Sequence, residues 1–356
     1  MIRLKGVEVS AKIKEQVQKM LSEWDGPVPK LAIVRVGENP DDISYERGAI
    51  KKLESFGLQV QSYEYPADIC DEAFKKAFRT INEAEDITGI LLLRPLPKQI
   101  CEKDIEEMID PAKDLDGISP INIAKVFAGD TSGFAPCTAE AVVEVLKQNE
   151  ISLTGKRVVI VGRSMVVGKP LSMLMLKENA TVTICHTRTQ DLKGTCQGAE
   201  ILVAAAGKAR MIQAEYVGDG AIVVDVGINV DENGKLCGDV DLESIEEKAA
   251  MGTPVPGGVG TVTTAVLAKH LVQASQRSSF LKKKKKGGER WQKFCWSMEA
   301  VKKKVVLIRR LMKLFRFWSR RGWRQRFFSW ERKRFGTVSG VEVAGLRENV
   351  CLMKTQ

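Results

Sequence analysis

Residues 156–170, KRVVIVGRSMVVGKP, constrain the fold of this chain more than any other stretch. Residues 158–161 are apolar and β-branched, which is typical of a buried parallel strand. This strand is predicted to end at Gly162, and Gly168 and Pro170 mark the start of a predicted helix. Free backbone N–H groups and the helix dipole meet at such a turn, so it favours binding of a phosphate or pyrophosphate. The spacing differs from G-x-G-x-x-G, which leaves an ordinary strand-to-helix turn as the alternative.

A second predicted strand, residues 180–185, ends in the sequence HTRT at 186–189. In a dinucleotide-binding fold the end of this strand faces the adenosine ribose, where an acidic residue favours NAD. Hydroxyls and cations occupy this strand end and the first turn instead, and they suit the additional phosphate of NADP. The side chains concerned are Arg163, Ser164, Thr187, Arg188 and Thr189. NADP is therefore the predicted cofactor.

Alternating strand and helix patterns extend over most of the first 276 residues and predict an α/β fold with a parallel sheet. Further strands are predicted at 31–36, 60–65, 89–93, 200–206 and 221–226, with a short β segment near 238–240. Helices are predicted at 9–24, 45–55, 71–85, 104–109, 138–147 and 261–274. We expect two domains: an N-terminal α/β domain of residues 1–138 completed by 261–276, and a Rossmann domain of residues 139–260.

Charge is distributed very unevenly. Residues 277–356 contain 24 Lys and Arg against 5 Asp and Glu, whereas residues 1–276 contain 31 against 40. Apolar residues at helical spacing between 301 and 315 predict a basic amphipathic helix, which suits a membrane surface or a nucleic acid. The lysine run at 282–286 implies an A-rich codon tract that is prone to reading-frame slippage. We favour the interpretation that the basic tail is a frameshift product.

Cysteine usage and the N-terminus indicate the compartment. The eight cysteines show no C-x-x-C pair and no metal-like spacing, which argues against a disulfide framework or a zinc site. The N-terminal sequence MIRLKGVEVS lacks the apolar segment of a signal peptide, and no run of 18 apolar residues occurs. We therefore expect a soluble cytoplasmic protein without a bound metal.

Six motifs follow one another along residues 1–276. They are KDLDG (113–117), GFAPCT (133–138), VVIVGRSMVVGKP (158–170), TICHTRT (183–189), DVGIN (225–229) and TPVPGGVG (253–260). In order and spacing the chain resembles the methylenetetrahydrofolate dehydrogenase/cyclohydrolase family. The resemblance implies a catalytic N-terminal domain, a Rossmann domain, a folate cleft between them and a homodimer. It also implies hydride transfer from 5,10-methylenetetrahydrofolate to NADP, and hydrolysis of the methenyl product to 10-formyltetrahydrofolate.

The resemblance also implies roles for individual residues. Asp116 matches the substrate-binding aspartate, and its carboxylate suits the donor-rich edge of a pterin; a turn or cap aspartate is the alternative. Tyr45 matches the tyrosine that lines the folate site, and a half-buried core aromatic is the alternative. The implied loop beside the folate, for which a purely structural turn is the alternative, consists of Pro256, Gly257 and Gly258. The implied cofactor contacts are Gly162, Arg163, Ser164, Gly168 and Ile228.

Cys137 and His186 are potential nucleophiles or bases by residue type. Neither has a recognisable set of partner residues, as a nucleophilic site would require. We therefore assign both a structural or cofactor-lining role.

Two positions depart from the family pattern. Ala49 stands where the family has a lysine, four residues after the tyrosine, and Leu93 stands where it has a glutamine. Alanine and leucine cannot transfer a proton. We expect dehydrogenase activity to survive and cyclohydrolase activity to be weak, absent or rebuilt on other groups. Lys52 and Arg94 are the candidate replacements, although arginine is a poor acid or base because it stays protonated.

Two other functions are compatible with parts of the sequence. One is a nucleic-acid- or membrane-binding protein that uses the basic tail and keeps the α/β body as a scaffold. The other is a different Rossmann oxidoreductase, such as a shikimate dehydrogenase-like enzyme, which the PVPGGVG and KDLDG loops disfavour. The ordered motif set separates the leading prediction from both, because a scaffold has no reason to keep that set complete.

Overall fold

Two parallel sheets flanked by helices form the core, which confirms the predicted α/β class. The computed structural model describes residues 1–232 and 234–286. The strands are β1 (Ile2–Arg3), β2 (Lys30–Val36), β3 (Gln59–Tyr65), β4 (Gly89–Leu92), β5 (Arg157–Val161), β6 (Thr181–Cys185), β7 (Ile201–Ala204), β8 (Ile222–Asp225), β9 (Asn229–Val230), β10 (Leu236–Cys237) and β11 (Met251–Gly252). The helices are α1 (Gly6–Ser22), α2 (Pro40–Ser55), α3 (Asp71–Glu83), α4 (Glu102–Met108), α5 (Pro120–Phe127), α6 (Cys137–Gln148), α7 (Gly168–Lys177), α8 (Leu192–Gln197) and α9 (Val259–Lys286).

The first sheet has three parallel strands in the order β3-β2-β4. Its central strand β2 is buried along almost its whole length, as its apolar sequence LAIV requires. The edge strand β4 ends at Leu92, one residue earlier than predicted. The following backbone N–H of Leu93 still donates to Val34 O (2.9 Å), and the prolines after Arg94 then prevent further pairing.

The second sheet has six parallel strands in the order β1-β11-β8-β7-β5-β6. Val161 at the end of β5 pairs with Cys185 of β6 and with Ala204 of β7, and Ala204 in turn pairs with Asp225 of β8. The carboxyl ends of these four strands therefore lie along one edge, where open α/β sheets bind their ligands. The β9–β10 hairpin is separate and antiparallel.

Several elements differ from the sequence prediction for identifiable reasons. Helix α2 begins at Pro40 rather than at residue 45, because the Asn39 side chain accepts the N–H of Asp41 (2.9 Å) and Pro40 fits the first turn. Strands β1 and β11 are two residues long, too short for a periodic pattern. Helices α5 and α8 are also short and were not predicted.

Helix α9 packs against the N-terminal part of the chain, as the sequence predicted for residues 261–274. His270 contacts Leu115 O (2.8 Å), and Lys52 donates to Thr261 O. Residues Met1–Lys284 form one compact unit, so the domain boundaries after 138 and 260 stay a prediction. No helix within residues 1–232 and 234–286 is both long enough and apolar enough to cross a membrane. The predicted tail helix between 301 and 315 lies outside the described residues.

A buried ion pair fixes α2 against the first sheet. Arg35 on β2 is 6 % exposed and Glu46 on α2 is 4 % exposed. The Arg35 Nε group donates to Glu46 Oε2 (2.7 Å), and the guanidinium also pairs with the exposed Glu64 (2.7 Å). Because Tyr45 precedes Glu46, this pair holds the helix turn that carries the predicted folate-site tyrosine.

Replacing Glu46 by alanine is expected to lower the free energy of unfolding by about 3–5 kcal/mol, because it leaves a buried guanidinium without its inner partner. The matched change Glu64→Ala removes an exposed partner of the same arginine and should cost less than about 1 kcal/mol. Urea unfolding of both variants measures the difference. Equal effects would show that Arg35 is not anchored through α2.

Candidate functional site

The turn between β5 and α7 is as tight as the sequence predicted. Gly162 has a φ of 139°, and its N–H donates to Cys185 O (2.9 Å). A Cβ atom at Gly168 would lie 2.1 Å from Gly162 O, so no larger residue fits without movement of the backbone. Helix α7 begins at Gly168, two residues before Pro170. Pro170 has no N–H, and the N–H groups of Lys169 and Leu171 already donate to backbone carbonyls (3.1 and 2.8 Å). In its first turn the helix therefore leaves the Gly168 N–H, together with the helix dipole, for an anion that enters the cradle made by the two glycines.

Exposed polar side chains surround this cradle. Arg163 and Ser164 are exposed in the first turn, and the Ser164 hydroxyl accepts the N–H of Val167 (3.1 Å). Thr187 and Arg188 are exposed after β6. Because β5 and β6 end side by side, both guanidinium groups belong to the same edge of the sheet. An anionic group bound at this edge therefore lies on the same side of the sheet as two cationic side chains.

His186 shapes the second turn. Its ring Nδ1 accepts the backbone N–H of Arg188 (3.1 Å), and its backbone N–H donates to Thr189 Oγ1 (2.8 Å). The histidine thus holds the segment that carries Thr187 and Arg188, in agreement with the structural role assigned from the sequence.

Two buried aspartates that sequence reasoning missed hold the next loops along this edge. Asp239 accepts three backbone N–H groups from residues 206–208, at 2.6, 2.9 and 2.8 Å. Asp225 accepts the N–H groups of Gly227 (2.9 Å), Asp239 (3.0 Å) and Val240 (2.9 Å), and burial raises its pKa to about 6. The loop after β8 is thereby fixed, and it presents Ile228 with 69 % of its surface exposed.

On the N-terminal side, Tyr45 lies beside the start of α9. The side chains of Thr263 and Thr264 lie near its hydroxyl and act to lower the Tyr45 pKa. Although 40 % of the residue is exposed, desolvation of the hydroxyl raises the Tyr45 pKa, and the neighbouring Cys137 thiol and Asp116 carboxylate raise it further. The structure thus brings Tyr45 and Asp116 together. The two threonines carried no recognisable signal in the sequence.

Asp116 holds the N-terminus of α6. The backbone N–H of Cys137, the first residue of that helix, donates to Asp116 Oδ1 (2.8 Å). Burial raises the pKa of Asp116, and the hydrogen bond opposes this rise. The capping role considered from the sequence is therefore present alongside the carboxylate's position next to Tyr45. Cys137 itself is 4 % exposed, and burial raises its thiol pKa well above the ordinary value, so it is not an activated nucleophile.

Lys52 reaches the loop predicted to lie beside the folate. Its ammonium group donates to the backbone carbonyl of Thr261, and burial lowers its pKa. Within the described part of the chain no carboxylate lies within ion-pair distance of it. Ala49, by contrast, is 1 % exposed and packs in the core with Leu53.

Arg94 pairs with two carboxylates, although its positive charge also acts on Asp116 and opposes the rise of that pKa. Its Nη1 atom lies 3.3 Å from Glu102 and 3.0 Å from Glu106 on α4. The two carboxylates of α4 therefore hold the Arg94 guanidinium against that helix. Leu93 beside it is 9 % exposed and apolar. Of the two candidate replacements, the structure places Lys52, and not Arg94, in contact with the loop at the start of α9.

The glycine-rich loop before α9 packs its backbone closely against the backbone at the start of α1. Gly257 has a φ of 101°, and its carbonyl accepts the N–H of Gly6 (2.8 Å). A Cβ at Gly258 would lie 2.4 Å from Pro254 O. Together with Pro256, these residues thus make the structural turn that was considered from the sequence. The turn also sets the position of Thr261, which Lys52 contacts.

Family models cover both parts of this arrangement. The catalytic domain of tetrahydrofolate dehydrogenase/cyclohydrolase matches residues 4–116, and its NAD(P)-binding domain matches residues 136–279. The chain belongs to the tetrahydrofolate dehydrogenase/cyclohydrolase family. This confirms the resemblance noted in the sequence. The bifunctional protein FolD of Clostridioides difficile (strain 630) is 51 % identical over 273 residues, which are 76 % of this chain and 95 % of that relative.

Solved structures of the tetrahydrofolate dehydrogenase/cyclohydrolase family have the same fold. The bifunctional FolD enzyme of Campylobacter jejuni is 39 % identical, with a TM-score of 0.75 over 78 % of this chain and 99 % of that one. The FolD enzyme of Trypanosoma brucei, solved in complex with NADP cofactor and an inhibitor, is 32 % identical, with a TM-score of 0.72 over 78 % and 98 %. The predicted architecture of a catalytic α/β domain and a Rossmann domain is confirmed.

Proposed function

We propose that this chain oxidises 5,10-methylenetetrahydrofolate to 5,10-methenyltetrahydrofolate with NADP as hydride acceptor, and that it hydrolyses the methenyl product only weakly. The observation that carries the proposal is the convergence of Tyr45 and Asp116 beside α9, in a family member whose second sheet carries a glycine cradle. Both reactions belong to the family's name, and the FolD relatives are described as bifunctional. The departures at Ala49 and Leu93 support the weaker second activity.

The residues of the cradle fit NADP. Gly162 and Gly168 leave a space that a Cβ would fill, and the start of α7 supplies the Gly168 N–H and the helix dipole for a pyrophosphate. Arg163, Thr187 and Arg188 suit the additional phosphate. When bound, the cofactor supplies the nicotinamide ring that accepts the hydride. Ile228, exposed on a loop fixed by Asp225, offers an apolar contact at the same edge.

Asp116 and Tyr45 are proposed to position the folate. A carboxylate accepts hydrogen bonds from the donor-rich edge of a reduced pterin, and the aromatic face of Tyr45 offers a stacking surface. The loop of Pro256, Gly257 and Gly258 forms the adjoining wall. Hydride transfer requires mainly that two rings are held in a reactive orientation. The dehydrogenase step therefore does not depend on the residues lost at positions 49 and 93.

Lys52 is proposed to carry the remaining cyclohydrolase activity. Burial lowers its pKa, which increases the fraction of neutral amine that can accept a proton from water. Ala49, at the position of the family's lysine, packs in the core, whereas Lys52, about one helix turn further along α2, reaches the Thr261 carbonyl. A hydrolysis rate near that of relatives with the usual lysine and glutamine would contradict the proposed weakness.

Replacing Lys52 by methionine is expected to lower methenyltetrahydrofolate hydrolysis about 100-fold, the lower range for loss of a general acid–base group. Dehydrogenase activity should change by less than about threefold. Lys52→Arg keeps the charge without a transferable proton and should lose hydrolysis equally, whereas Lys51→Met, on the exposed neighbour, should not. Separate spectrophotometric assays of the two steps check this. Full hydrolysis by Lys52→Arg would show that only the charge matters.

We further propose a homodimer, as the resemblance implies, and a cytoplasmic location, as expected from the N-terminal sequence. Sedimentation of the purified chain measures the oligomeric state.

The frameshift interpretation of residues 277–356, which lie almost entirely outside the described part, rests on the lysine run. Sequencing of the gene across codons 282–286, with mass spectrometry of the purified protein, tests it: an intact frame and a full-length mass would contradict it.

A further inference from the structure

His270, on α9, is buried between two acceptors. The residue is 1 % exposed. Its Nδ1 atom lies 2.8 Å from the Leu115 carbonyl oxygen, and its Nε2 atom lies 2.9 Å from Glu140 Oε2 on α6. A carbonyl oxygen and an ionised carboxylate can only accept, so both ring nitrogens must donate. This geometry corresponds to a doubly protonated imidazolium.

The histidine is linked directly to the aspartate proposed to bind the folate. Leu115 immediately precedes Asp116, and its carbonyl is also 3.4 Å from the Cys137 thiol. The Cys137 N–H donates to Asp116 Oδ1 (2.8 Å). The aspartate loop, the start of α6 and the middle of α9 therefore meet at one imidazole ring. Removing the bond from Nδ1 frees the backbone that orients the Asp116 carboxylate.

We propose that His270, held as an imidazolium by Glu140, is a positioning residue that orients Asp116 for tetrahydrofolate binding and makes that binding sensitive to alkaline pH. This inference rests on the proposed function, since it assumes that Asp116 holds the folate. It adds a residue pair to which the sequence assigned no role. Neither His270 nor Glu140 touches the reacting atoms; both act through the Leu115 carbonyl.

The charged surroundings support the protonated form. Burial alone would lower the His270 pKa, but the Glu140 carboxylate and the Leu115 carbonyl raise it above the ordinary value of 6.5. Burial likewise opposes ionisation of Glu140, yet His270 and Lys269 together lower the Glu140 pKa to about 2. Other titratable or charged groups lie around the ring. The Cys137 Sγ is 3.8 Å from Nδ1, and Glu144 pairs with Lys269. Arg277 stacks on the Phe134 ring beside the imidazole, and the aspartate loop contributes Asp114 and Asp116.

The sign of the pH effect follows from the raised pKa. The imidazolium is fully formed below the ordinary pKa of 6.5, so positioning is complete there. The imidazolium, and with it the positioning of Asp116, is lost as pH rises through the raised pKa of His270 in the folded protein. The proton facing Glu140 is retained in preference to the one facing the neutral carbonyl, so Nδ1 becomes an acceptor that repels Leu115 O. The KM for methylenetetrahydrofolate should therefore rise at alkaline pH, while the KM for NADP stays unchanged.

Three variants of the full-length chain separate positioning from a general structural role. His270→Asn places an amide donor near the Nδ1 position, so the folate KM should stay near the wild-type value and become independent of pH. His270→Gln places its donor near Nε2, loses the bond to Leu115, and should raise the folate KM about tenfold at every pH. Glu140→Gln permits a neutral imidazole that donates to Leu115 and accepts from the new amide, so the alkaline rise should disappear.

A direct readout is available because the chain contains only two histidines. Nitrogen-15 NMR of histidine-labelled wild-type protein should show one ring with both nitrogens protonated at pH 7, and that signal should be absent from His270→Gln. A neutral ring at pH 7 would overturn the proposal even if the variants fail to fold. A folate KM that rises equally in His270→Asn and His270→Gln, or an alkaline rise that persists in Glu140→Gln, would also overturn it. Absence of dehydrogenase activity from the wild type would instead refute the proposed function, and the NMR result would still decide the charge of His270.

Discussion

Replacing Asp116 by alanine is expected to lower kcat/KM for 5,10-methylenetetrahydrofolate by about 100-fold or more, because a charge-assisted hydrogen bond contributes about 1.5–3 kcal/mol and the loop that carries it also loses an anchor. The carboxylate is half-buried and close enough to Tyr45 to raise the tyrosine's pKa, so both side chains belong to the same site. The KM for NADP should be unaffected, because the glycine cradle lies on the second sheet. Steady-state kinetics with each substrate varied in turn measures both effects.

The variant Asp116→Asn separates the two contributions of this residue. Its side-chain oxygen still accepts the Cys137 N–H, so α6 keeps its anchor, while the negative charge towards the pterin is removed. We expect a loss of about tenfold, smaller than that of alanine, with unchanged thermal stability. If both variants lose activity only in proportion to a loss of folded protein, Asp116 is a capping residue and not a substrate ligand.

Removing both Arg163 and Arg188 is expected to abolish the preference for NADP. Each guanidinium can contribute about 1.5–3 kcal/mol to a phosphate contact, so the double alanine variant should lose roughly 100-fold or more in kcat/KM with NADP. The kcat/KM with NAD should change little, because NAD lacks the additional phosphate. The ratio of the two values is the quantity to measure.

Arg157 provides the matched control for this experiment. It is an exposed arginine at the amino end of β5, the end opposite to Arg163, and it donates to Gly198 O (3.0 Å). Arg157→Ala should leave the NADP-to-NAD ratio at the wild-type value. An equal fall in that ratio for Arg157→Ala would show that overall positive charge, and not the position at the carboxyl edge, sets the preference.

The parts of the site that the sequence predicted are those with local causes. The β5–α7 turn follows from an apolar run bounded by glycines, and the structure shows that a Cβ at Gly168 has no room. The turn that carries Thr187 and Arg188 follows directly from the end of β6. In these cases the chemistry and the backbone conformation belong to the same short stretch, so the pattern was sufficient.

The parts that the sequence did not predict depend on contacts between distant segments. Helical periodicity assigns His270 no special role. Its role depends on Leu115 and Glu140, which the fold brings to its two ring nitrogens. Asp239 belongs to the short β segment predicted near 238–240, and nothing in that stretch indicates that it binds the backbone of the loop at 206–208. The value of Lys52 as a candidate depends on the carbonyl of Thr261, which helix periodicity on α2 alone does not reveal.

Formation of NADPH tests the central claim most directly. Purified full-length protein is mixed with NADP and 5,10-methylenetetrahydrofolate, and the absorbance of NADPH is followed together with that of the methenyl product. We predict that the two products first appear in equal amounts, and that conversion of the methenyl product to 10-formyltetrahydrofolate is much slower than its formation. Folded protein that forms no NADPH and binds neither molecule would contradict the account.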